Sequence, residues 1–244
     1  MRTFLFLLSL GVVSSSFAQA PASPVPAPAV AAKSYLLLDY HSLQTLASQN
    51  SAERVEPASL TKLMTAYLTF SALRQKQIQA AQTVPVSQHA WKAEGSRMFI
   101  EPRKPVTVDE LTRGMIVQSG NDACIALAEL IAGSEAAFAQ LMNREAQRLG
   151  MKNTNFVNAT GLPDPQHYST AYDLALLATA IIRDFPEYHP LYSIKEYRYN
   201  NITQANRNRL LWSDPTVDGM KTGYTENAGY CMIITARRGE RRLI

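Results

Sequence analysis

Apolar side chains recur at helical spacing through the middle of the chain and predict a series of helices. After Pro57, the residues Leu60, Leu63, Met64, Tyr67 and Leu68 follow the i, i+3, i+4, i+7, i+8 pattern of a buried helical stripe. Capping and stop residues delimit further helices. These run from the capping box Thr107–Glu110 to about Val117, from Asp122 to Ile131 before Gly133, from Ser134 to Gly150, and from Thr170 towards Pro186.

Short apolar runs near both ends of the expected folded region predict strands. The runs are Ser34–Asp39 with a hairpin partner at Gln44–Ala47, then Tyr192–Tyr199, Val217–Thr225, Tyr230–Thr235 and Arg241–Ile244, with a turn at Arg238-Gly239. This order of elements predicts an α/β (α+β) fold. The last run stops after a few residues, and a half-formed strand leaves an unpaired sheet edge. We therefore expect a C-terminally truncated fragment that is aggregation-prone when expressed alone.

Residues 1–20 have the three-part pattern of a secretory signal peptide. Arg2 provides the positive end, Phe4–Val13 the apolar run, and Ala18-Gln19-Ala20 the cleavage site. Residues 21–32 are rich in Pro and Ala and predict an extended linker, so a single folded domain is expected over residues 33–244. Export predicts a location in the periplasm or cell envelope, which is oxidising. Cys124 and Cys231 could pair in such a compartment, but their separation in sequence says little about their distance in space, and two buried free thiols are favoured.

The composition indicates a globular domain and excludes several classes of function. The chain has 244 residues, 46% of them hydrophobic and 18% charged, which is typical of a folded protein. A net charge of +4 is too small to indicate nucleic-acid binding. The four His and two Cys lack the spacing of metal ligands, and no glycines have the G-x-G spacing of a dinucleotide site. We expect neither a metal nor another cofactor.

The first candidate motif is Ser59-Leu60-Thr61-Lys62, at the start of the first predicted helix. Residues i and i+3 lie on one face of a helix, with Cβ atoms about 5–6 Å apart. A serine hydroxyl becomes a good nucleophile only beside a base, and a lysine is such a base when burial lowers its pKa. The helix N-terminus also favours negative charge that develops on Ser59. Alone, however, this spacing also fits a solvated pair of Ser and Lys.

Two further motifs provide groups that suit the binding of a peptide. Ser119-Gly120-Asn121 interrupts two apolar helices, where a hydroxyl could relay a proton and an amide could hold a substrate amide. Lys221-Thr222-Gly223 ends a predicted strand, with a positive charge, a hydroxyl for a carboxylate, and a glycine that lets a ligand approach the backbone. Taken singly, the first also fits a helix cap and the second a strand-end turn.

Together and in this order, the three motifs resemble those of penicillin-binding proteins and class A β-lactamases. The flanking residues resemble the low-molecular-mass penicillin-binding proteins, in particular their D-alanyl-D-alanine carboxypeptidase branch. This resemblance rests on the segments 57–65, 119–123 and 217–225, with Asn158–Pro163 and Asn206–Asn208 in addition. It extends from Lys33 to the end and implies a β-lactamase/transpeptidase-like fold, an antiparallel sheet flanked by helices plus a mostly helical subdomain.

The resemblance also implies catalytic roles for the motif residues. Ser59 would attack the peptide carbonyl between two D-alanines and form an acyl-enzyme, with Lys62 as general base. Ser119 would relay a proton to the leaving D-alanine, and Lys221 would tune the local charge. Water would then release the shortened peptide, so the implied activity is that of a serine D,D-carboxypeptidase.

Further residues are implied in substrate binding. Asn121 would hold the acyl part of the substrate, and Thr222 would contact its terminal carboxylate. The backbone N–H groups of Ser59 and Tyr224 would form the oxyanion hole. The implied partners are a peptidoglycan stem peptide ending in D-Ala-D-Ala and β-lactam antibiotics, which mimic that terminus.

The sequence departs from the family at two positions and at its end. Tyr224 stands where many relatives have His, which puts the pH dependence in question, and Leu43 stands where the early hairpin usually has Gly. The chain stops before the family's remaining sheet strand with its Arg contact to the carboxylate, the closing helix, the β-rich second domain and the amphipathic anchor. The resemblance implies that the full-length form lies on the outer face of the inner membrane, held only by that missing segment.

Three alternative functions compete with that of a carboxypeptidase. A class A β-lactamase needs a deacylating Glu in an E-x-x-L-N segment, and residues 122–220 contain none. A D,D-endopeptidase of the same superfamily would cut cross-links instead of stem pentapeptides. A non-catalytic peptidoglycan-binding module would not need Ser59, Lys62 and Lys221 together. The sequence therefore favours the D,D-carboxypeptidase.

Overall fold

A computed structural model describes residues 29–244, so the predicted signal peptide and most of the predicted linker lie outside the described residues. The residues from Ala32 onward group into one unit. Its elements are, in chain order, β1 (Tyr35–Leu38), β2 (Thr45–Gln49), α1 (Lys62–Arg74), β3 (Thr83–Val84), α2 (Gln88–Trp91), β4 (Val106–Thr107), α3 (Val108–Val117), α4 (Asn121–Ala132), α5 (Glu135–Arg148), α6 (Ala171–Asp184), β5 (Glu196–Tyr199), β6 (Ile202–Ala205), α7 (Leu210–Ser213), β7 (Val217–Thr225), β8 (Gly229–Arg238) and β9 (Arg241–Leu243).

The sheet that carries the third motif is antiparallel. β7 pairs with β8 from Val217 to Thr225, and β8 pairs in turn with β9. The β1–β2 hairpin extends this sheet beyond β9, because Leu38 and Ile244 exchange backbone hydrogen bonds of 2.8 and 3.0 Å. Within the described residues β7 is therefore an edge strand, with one side open beside the helices.

The helices bury the apolar positions that the sequence predicts, and α1 is buried on almost every side. Fully buried side chains include Leu63, Met64, Phe70, Leu111, Met115 and Leu127. Thr65 and Thr69 are also inaccessible to solvent, although both are polar. Their hydroxyls donate to the carbonyls of Ala159 and Thr65 at 2.7 and 2.8 Å, so burial leaves no unsatisfied donor there. The start of α1 is consequently held by packing on all sides.

Several helix boundaries differ from the prediction by a few residues. The first helix opens with a 3-10 turn, Ala58–Thr61, before α1 begins at Lys62. α4 begins at Asn121, one residue before the predicted start, and α5 ends at Arg148 rather than at Gly150. Frayed ends and tighter terminal turns are the usual reason for such differences.

The predicted strand Tyr192–Tyr199 is wrong in its first half. His189–Ser193 is a 3-10 helix, favoured by the fixed φ of Pro190, and only Glu196–Tyr199 is a strand. This strand, β5, pairs with β6, which the sequence reading missed because β6 has only four residues and most of them are exposed. The pair Asn200-Asn201 between β5 and β6 was a sequence signal for a hairpin turn. Both residues have positive φ values, 48° and 63°, as two-residue hairpin turns require.

Both cysteines are free, as predicted, but only one of them is buried. Cys124 on α4 is inaccessible, whereas Cys231 lies near the tip of the β7–β8 hairpin and is partly exposed. The expectation of two buried thiols is therefore wrong for Cys231. The cause is its place on a hairpin beside the edge of the sheet rather than in the helical core.

Within residues 29–244, no single helix is long and apolar enough to cross a membrane. The pair α4 and α5 meets the length and composition requirements only when taken together, and it bends by 82°.

Leu43 has a left-handed backbone in the β1–β2 connection, with φ at 57°, and its side chain is 57% exposed. This conformation costs a non-glycine residue roughly 1–2 kcal/mol. We expect Leu43→Gly to raise the free energy of unfolding by about 0.5–1 kcal/mol, since glycine removes the strain but loses more entropy on folding. Urea denaturation measures the change. Leu43→Ala, which keeps the unfavourable φ, should give no gain, and a destabilised Leu43→Gly would contradict the argument.

Candidate active site

The first motif forms a contact between a serine and a lysine at the start of α1. Ser59 lies in the 3-10 turn, and Lys62 is the first residue of the α-helix. A 3-10 turn has three residues per turn, so positions i and i+3 are eclipsed. Lys62 Nζ accordingly lies 3.0 Å from Ser59 Oγ and donates to it. This is the distance at which a neutral lysine can take the proton of an attacking hydroxyl.

The loop that follows α5 fixes the amine of Lys62. Lys62 Nζ donates to the Thr160 carbonyl at 2.5 Å. Asn158 holds this loop, because its Oδ1 accepts the backbone N–H groups of Thr160 and Gly161 at 3.1 and 2.7 Å. Gly161 has φ at 83° and lies so close to Ala58 that a Cβ there would overlap the Ala58 carbonyl. The loop and the 3-10 turn are thereby locked together.

Burial gives Lys62 the properties of a base. Its side chain is 2% exposed. The loss of hydration lowers the pKa of Lys62 to about 8, and the positive charge of Arg207 acts in the same direction. A lysine with such a pKa is neutral in a useful fraction of molecules near neutral pH.

The other two motifs form a second contact between a serine and a lysine. Lys221 Nζ on β7 donates to Ser119 Oγ at 2.9 Å and to the Thr222 carbonyl at 2.9 Å. Ser119 occupies the break between α3 and α4 with a left-handed backbone, φ 62°. Burial, together with the positive charge of Lys62, lowers the pKa of Lys221 well below its usual range. The two lysines thus influence each other within one buried site.

Asn121, the first residue of α4, presents a buried acceptor without a partner. Its Nδ2 donates to the Glu94 carbonyl at 2.6 Å, which fixes the orientation of the amide. Its Oδ1 is buried and has no hydrogen-bond partner within the described residues. An unsatisfied buried polar atom costs about 1–3 kcal/mol, so this oxygen is suited to accept an N–H group from a ligand.

Glycine at position 223 lets β7 approach the turn that carries the first motif. A Cβ on Gly223 would lie 2.9 Å from the backbone nitrogen of Ser59. The Ser59 N–H group is therefore next to the strand segment that contains Thr222 and Tyr224. Thr222 is partly exposed, and the Tyr224 ring is 55% exposed, 4.7 Å from the ring of Tyr230 between centroids.

Contacts join the three segments that carry the eight predicted site residues. The two serine–lysine contacts and the approach of Gly223 to Ser59 join segments from α1, the α3–α4 break and β7. Brought together in this way are Ser59, Lys62, Ser119, Asn121, Lys221, Thr222, Gly223 and Tyr224. Between residues 29 and 244, no three His, Cys, Asp or Glu side chains form a group that could hold a metal ion.

Asp122 is a buried residue at this site that the sequence reading missed. Its Oδ1 accepts the N–H groups of Met98 and Ala123 at 3.0 and 2.9 Å. Its Oδ2 accepts those of Phe99 and Ile100 at 2.8 and 3.1 Å. The carboxylate therefore fixes the segment before β4 against the start of α4.

We expect Asp122→Asn to lower the free energy of unfolding by about 2–4 kcal/mol. The amide NH2 group would replace one carboxylate oxygen and face two backbone donors, and each unsatisfied buried donor costs about 1–3 kcal/mol. Urea denaturation measures the loss. As a control, Asp109→Asn removes a surface contact to Arg113 and should cost less than about 1 kcal/mol. An equal loss in the two variants would show that the Asp122 contacts matter little.

His167 is a second buried residue that carried no motif signal. Its Nδ1 accepts the Val157 N–H at 3.2 Å, and its Nε2 lies 2.8 Å from Thr61 Oγ1. Burial lowers the pKa of His167 to about 4, so the ring is neutral at neutral pH and Nε2–H donates to Thr61. Because Thr61 lies between Ser59 and Lys62, this bond anchors the reactive turn to the loop that follows α5.

Solved structures with the same fold identify the class of the protein. The chain is similar to penicillin-binding protein 5 from Haemophilus influenzae, with a TM-score of 0.88 and 44% identity, over 90% of this chain and 65% of that chain. It is also similar to penicillin-binding protein D2 from Listeria monocytogenes in its ampicillin-bound form, with a TM-score of 0.81 and 31% identity, over 89% of each chain. The fold is therefore that of the penicillin-binding and transpeptidase class, which confirms the expected β-lactamase/transpeptidase-like architecture.

Sequence relatives narrow this class to one family. Residues 19–244 match the model of the D-alanyl-D-alanine carboxypeptidase family, and the chain belongs to that family. It is 47% identical over 227 residues to the D-alanyl-D-alanine carboxypeptidase DacC from Escherichia coli (strain K12), which covers 90% of this chain. The chain spans 57% of the length of that relative. The resemblance of the motifs to this family is confirmed.

Proposed function

We propose that the protein is a serine D,D-carboxypeptidase that removes the terminal D-alanine from peptidoglycan stem pentapeptides. The observation that carries the proposal is the 3.0 Å contact between Lys62 Nζ and Ser59 Oγ on a turn that β7 approaches. Membership of the D-alanyl-D-alanine carboxypeptidase family supports the substrate. The ampicillin-bound relative supports recognition of β-lactams.

Acylation follows from the two serine–lysine contacts. Neutral Lys62 takes the hydroxyl proton while Ser59 Oγ attacks the carbonyl carbon between the two D-alanines, and the backbone N–H groups of Ser59 and Tyr224 stabilise the oxyanion. The C–N bond then breaks as the leaving amine takes up the proton that Lys62 removed, relayed through the hydroxyl of Ser119, which Lys221 holds. Water hydrolyses the ester and restores Ser59.

The remaining site residues bind the two ends of the scissile region. Asn121 Oδ1, which has no partner within the described residues, accepts an N–H group from the acyl part of the substrate. The Thr222 hydroxyl donates a hydrogen bond to the terminal carboxylate, and the positive charge of Lys221 attracts the same carboxylate. Gly223 keeps β7 close enough to the turn for both ends to be held at once.

Mass spectrometry after exposure to penicillin tests the proposal. We expect one penicillin adduct per molecule, located by peptide mapping on the segment that contains Ser59. Muropeptide analysis should then show release of D-alanine from pentapeptides but no cleavage of cross-linked dimers. Cleavage of the dimers would indicate the endopeptidase, and sustained hydrolysis of a chromogenic cephalosporin would indicate the β-lactamase. Failure of the full-length protein to acquire an adduct would support the non-catalytic module.

The proposed substrate also sets the proposed location. Stem pentapeptides are found in the cell envelope, and the predicted signal peptide at residues 1–20 supports export to it. We infer that the protein works in the periplasm or cell envelope, with its full-length form on the outer face of the inner membrane. Cell fractionation checks this location.

A further inference from the structure

The short helix α7, which precedes β7, exposes two of its three apolar side chains. Leu211 is buried and packs with Val217 and Ala236 at the start of the β7–β8 ladder. Trp212 and Leu210, on either side of it, are 49% and 37% exposed. Adjacent large apolar side chains that stay exposed mark an interaction site more often than a single one does. The exposed side of α7 is therefore a candidate binding surface.

Two cations lie beside the exposed tryptophan. Lys195 Nζ is 6.0 Å from the centre of the Trp212 ring. Arg209 has a helical backbone immediately before α7 and lies three residues before Trp212, so the two side chains are on one face of the turn. Both cations are exposed, and neither forms an ion pair with any of residues 29–244. Their charges are open to an anionic ligand.

The neighbouring carboxylates do not cancel these charges. Asp214 follows α7 directly, but its Oδ2 lies 2.7 Å from Arg238 Nη2 and its Oδ1 accepts the Thr216 hydroxyl at 2.6 Å. Glu196 follows Lys195 in the chain and is exposed. Two free cations thus face one free carboxylate, and the surface around Trp212 is positively charged.

The loop before α7 attaches this surface to the strand of the candidate active site. Asn208 is 1% exposed, and its Nδ2 donates to the Gly219 carbonyl on β7 at 3.1 Å. Gly219 lies two residues before Lys221, which is roughly 7 Å along a strand. The positive charge of Arg207, in the same loop, lowers the pKa of both Lys221 and Lys62. A polymer whose side branch occupies the active site would therefore pass close to α7.

We propose that the tryptophan patch, formed by Lys195, Arg209, Leu210 and Trp212, is a second binding site for a peptidoglycan strand, outside the catalytic cleft. The apolar face of a sugar ring packs on the flat Trp212 ring, and carboxylates of neighbouring stem peptides pair with Lys195 and Arg209. An anionic lipid surface would suit the same charges, but the attachment of the patch to β7 favours the polymer that supplies the substrate. The patch rests on the proposed function, which places a stem peptide beside β7.

Binding of the full-length protein to purified peptidoglycan sacculi tests the patch. We expect Trp212→Ala to weaken binding about tenfold, the usual effect of truncating a central aromatic side chain in an interface. Trp212→Phe keeps a flat ring and should retain most of the affinity. Removing both cations, with Lys195→Gln and Arg209→Gln together, should weaken binding about fivefold and make it less sensitive to salt.

Two control variants change exposed side chains elsewhere. Tyr172→Ala removes an aromatic ring on α6 that is 47% exposed, close to the exposure of Trp212. Lys152→Gln removes an exposed charge that forms no ion pair among residues 29–244. Both should bind sacculi like the wild type. Wild-type binding by Trp212→Ala, or loss of vesicle binding on anionic phospholipid in its place, would overturn the patch.

Comparison of two substrates separates the patch from the active site. Release of D-alanine is measured from sacculi rich in pentapeptide stems and from a soluble pentapeptide that ends in D-Ala-D-Ala. Trp212→Ala should lower kcat/KM about tenfold on sacculi and leave it unchanged on the soluble peptide. An equal loss on both substrates would mean that Trp212 only supports the active site, and would overturn the patch. No release by the wild type from either substrate would overturn the proposed function, whereas the binding measurement still decides on the patch.

Discussion

Replacing Ser59 with alanine is expected to abolish covalent labelling by penicillin while the protein stays folded. The substitution removes only the hydroxyl that lies 3.0 Å from Lys62 Nζ. Ser59 is partly exposed, so the loss of one oxygen opens no cavity in the core. Intact-mass measurement after incubation with excess penicillin gives the labelled fraction, and thermal unfolding followed by circular dichroism checks the fold.

Ser119→Ala is the matched control, because Ser119 is the other serine that contacts a buried lysine, at 2.9 Å from Lys221 Nζ. This variant keeps the nucleophile and loses only the proton relay, so we expect slower labelling that still reaches completion. Labelling of Ser59→Ala at the wild-type rate would contradict the assignment of Ser59 as the nucleophile. Loss of labelling in Ser119→Ala at the same time would transfer that role to Ser119.

The contact between Ser59 and Lys62 could be predicted from the sequence because it is local. A spacing of three residues at the start of a helix places two side chains on one face, and this holds although the first turn is 3-10 rather than α. The contact between Lys221 and Ser119 joins residues 102 positions apart and depends on how β7 packs beside the helices. Only the resemblance of the motifs indicated that these residues would meet.

Asp122 and His167, which hold the segments around the site in place, could not be predicted, because those segments have irregular backbone. Asp122 and His167 satisfy backbone or hydroxyl groups of segments whose course no hydrophobic period determines. The same limit explains the error at residues 192–195, where apolar side chains suggested a strand. Tyr192 belongs instead to a 3-10 turn that buries its ring against Phe70, a contact that depends on tertiary packing.

Lys62→Arg is expected to slow acylation by penicillin by at least ~100-fold, within the usual contribution of a general base. A guanidinium keeps the positive charge but stays protonated, with a pKa above about 12, so it cannot accept the proton of Ser59. Lys62→Met removes both the base and the charge, and its acylation should be slowed to a similar extent. A difference in rate between Lys62→Met and Lys62→Arg would show the effect of the charge alone. Stopped-flow labelling with a fluorescent penicillin measures the rates. Near-normal acylation of Lys62→Arg would mean that another group, such as Ser119 with Lys221, activates the nucleophile.

The pH dependence of acylation separates the two buried lysines. Burial lowers the pKa of Lys62 to about 8, and only the neutral amine acts as a base. The wild-type rate should therefore fall about tenfold for each pH unit below 8 and level off above it. Lys221 is present in both the wild type and Lys62→Arg. The fall in rate below pH 8 should therefore disappear in Lys62→Arg if it reflects the titration of Lys62. A limb with an unchanged midpoint in Lys62→Arg would assign it to Lys221, and Lys62 would then hold Ser59 in place without accepting its proton.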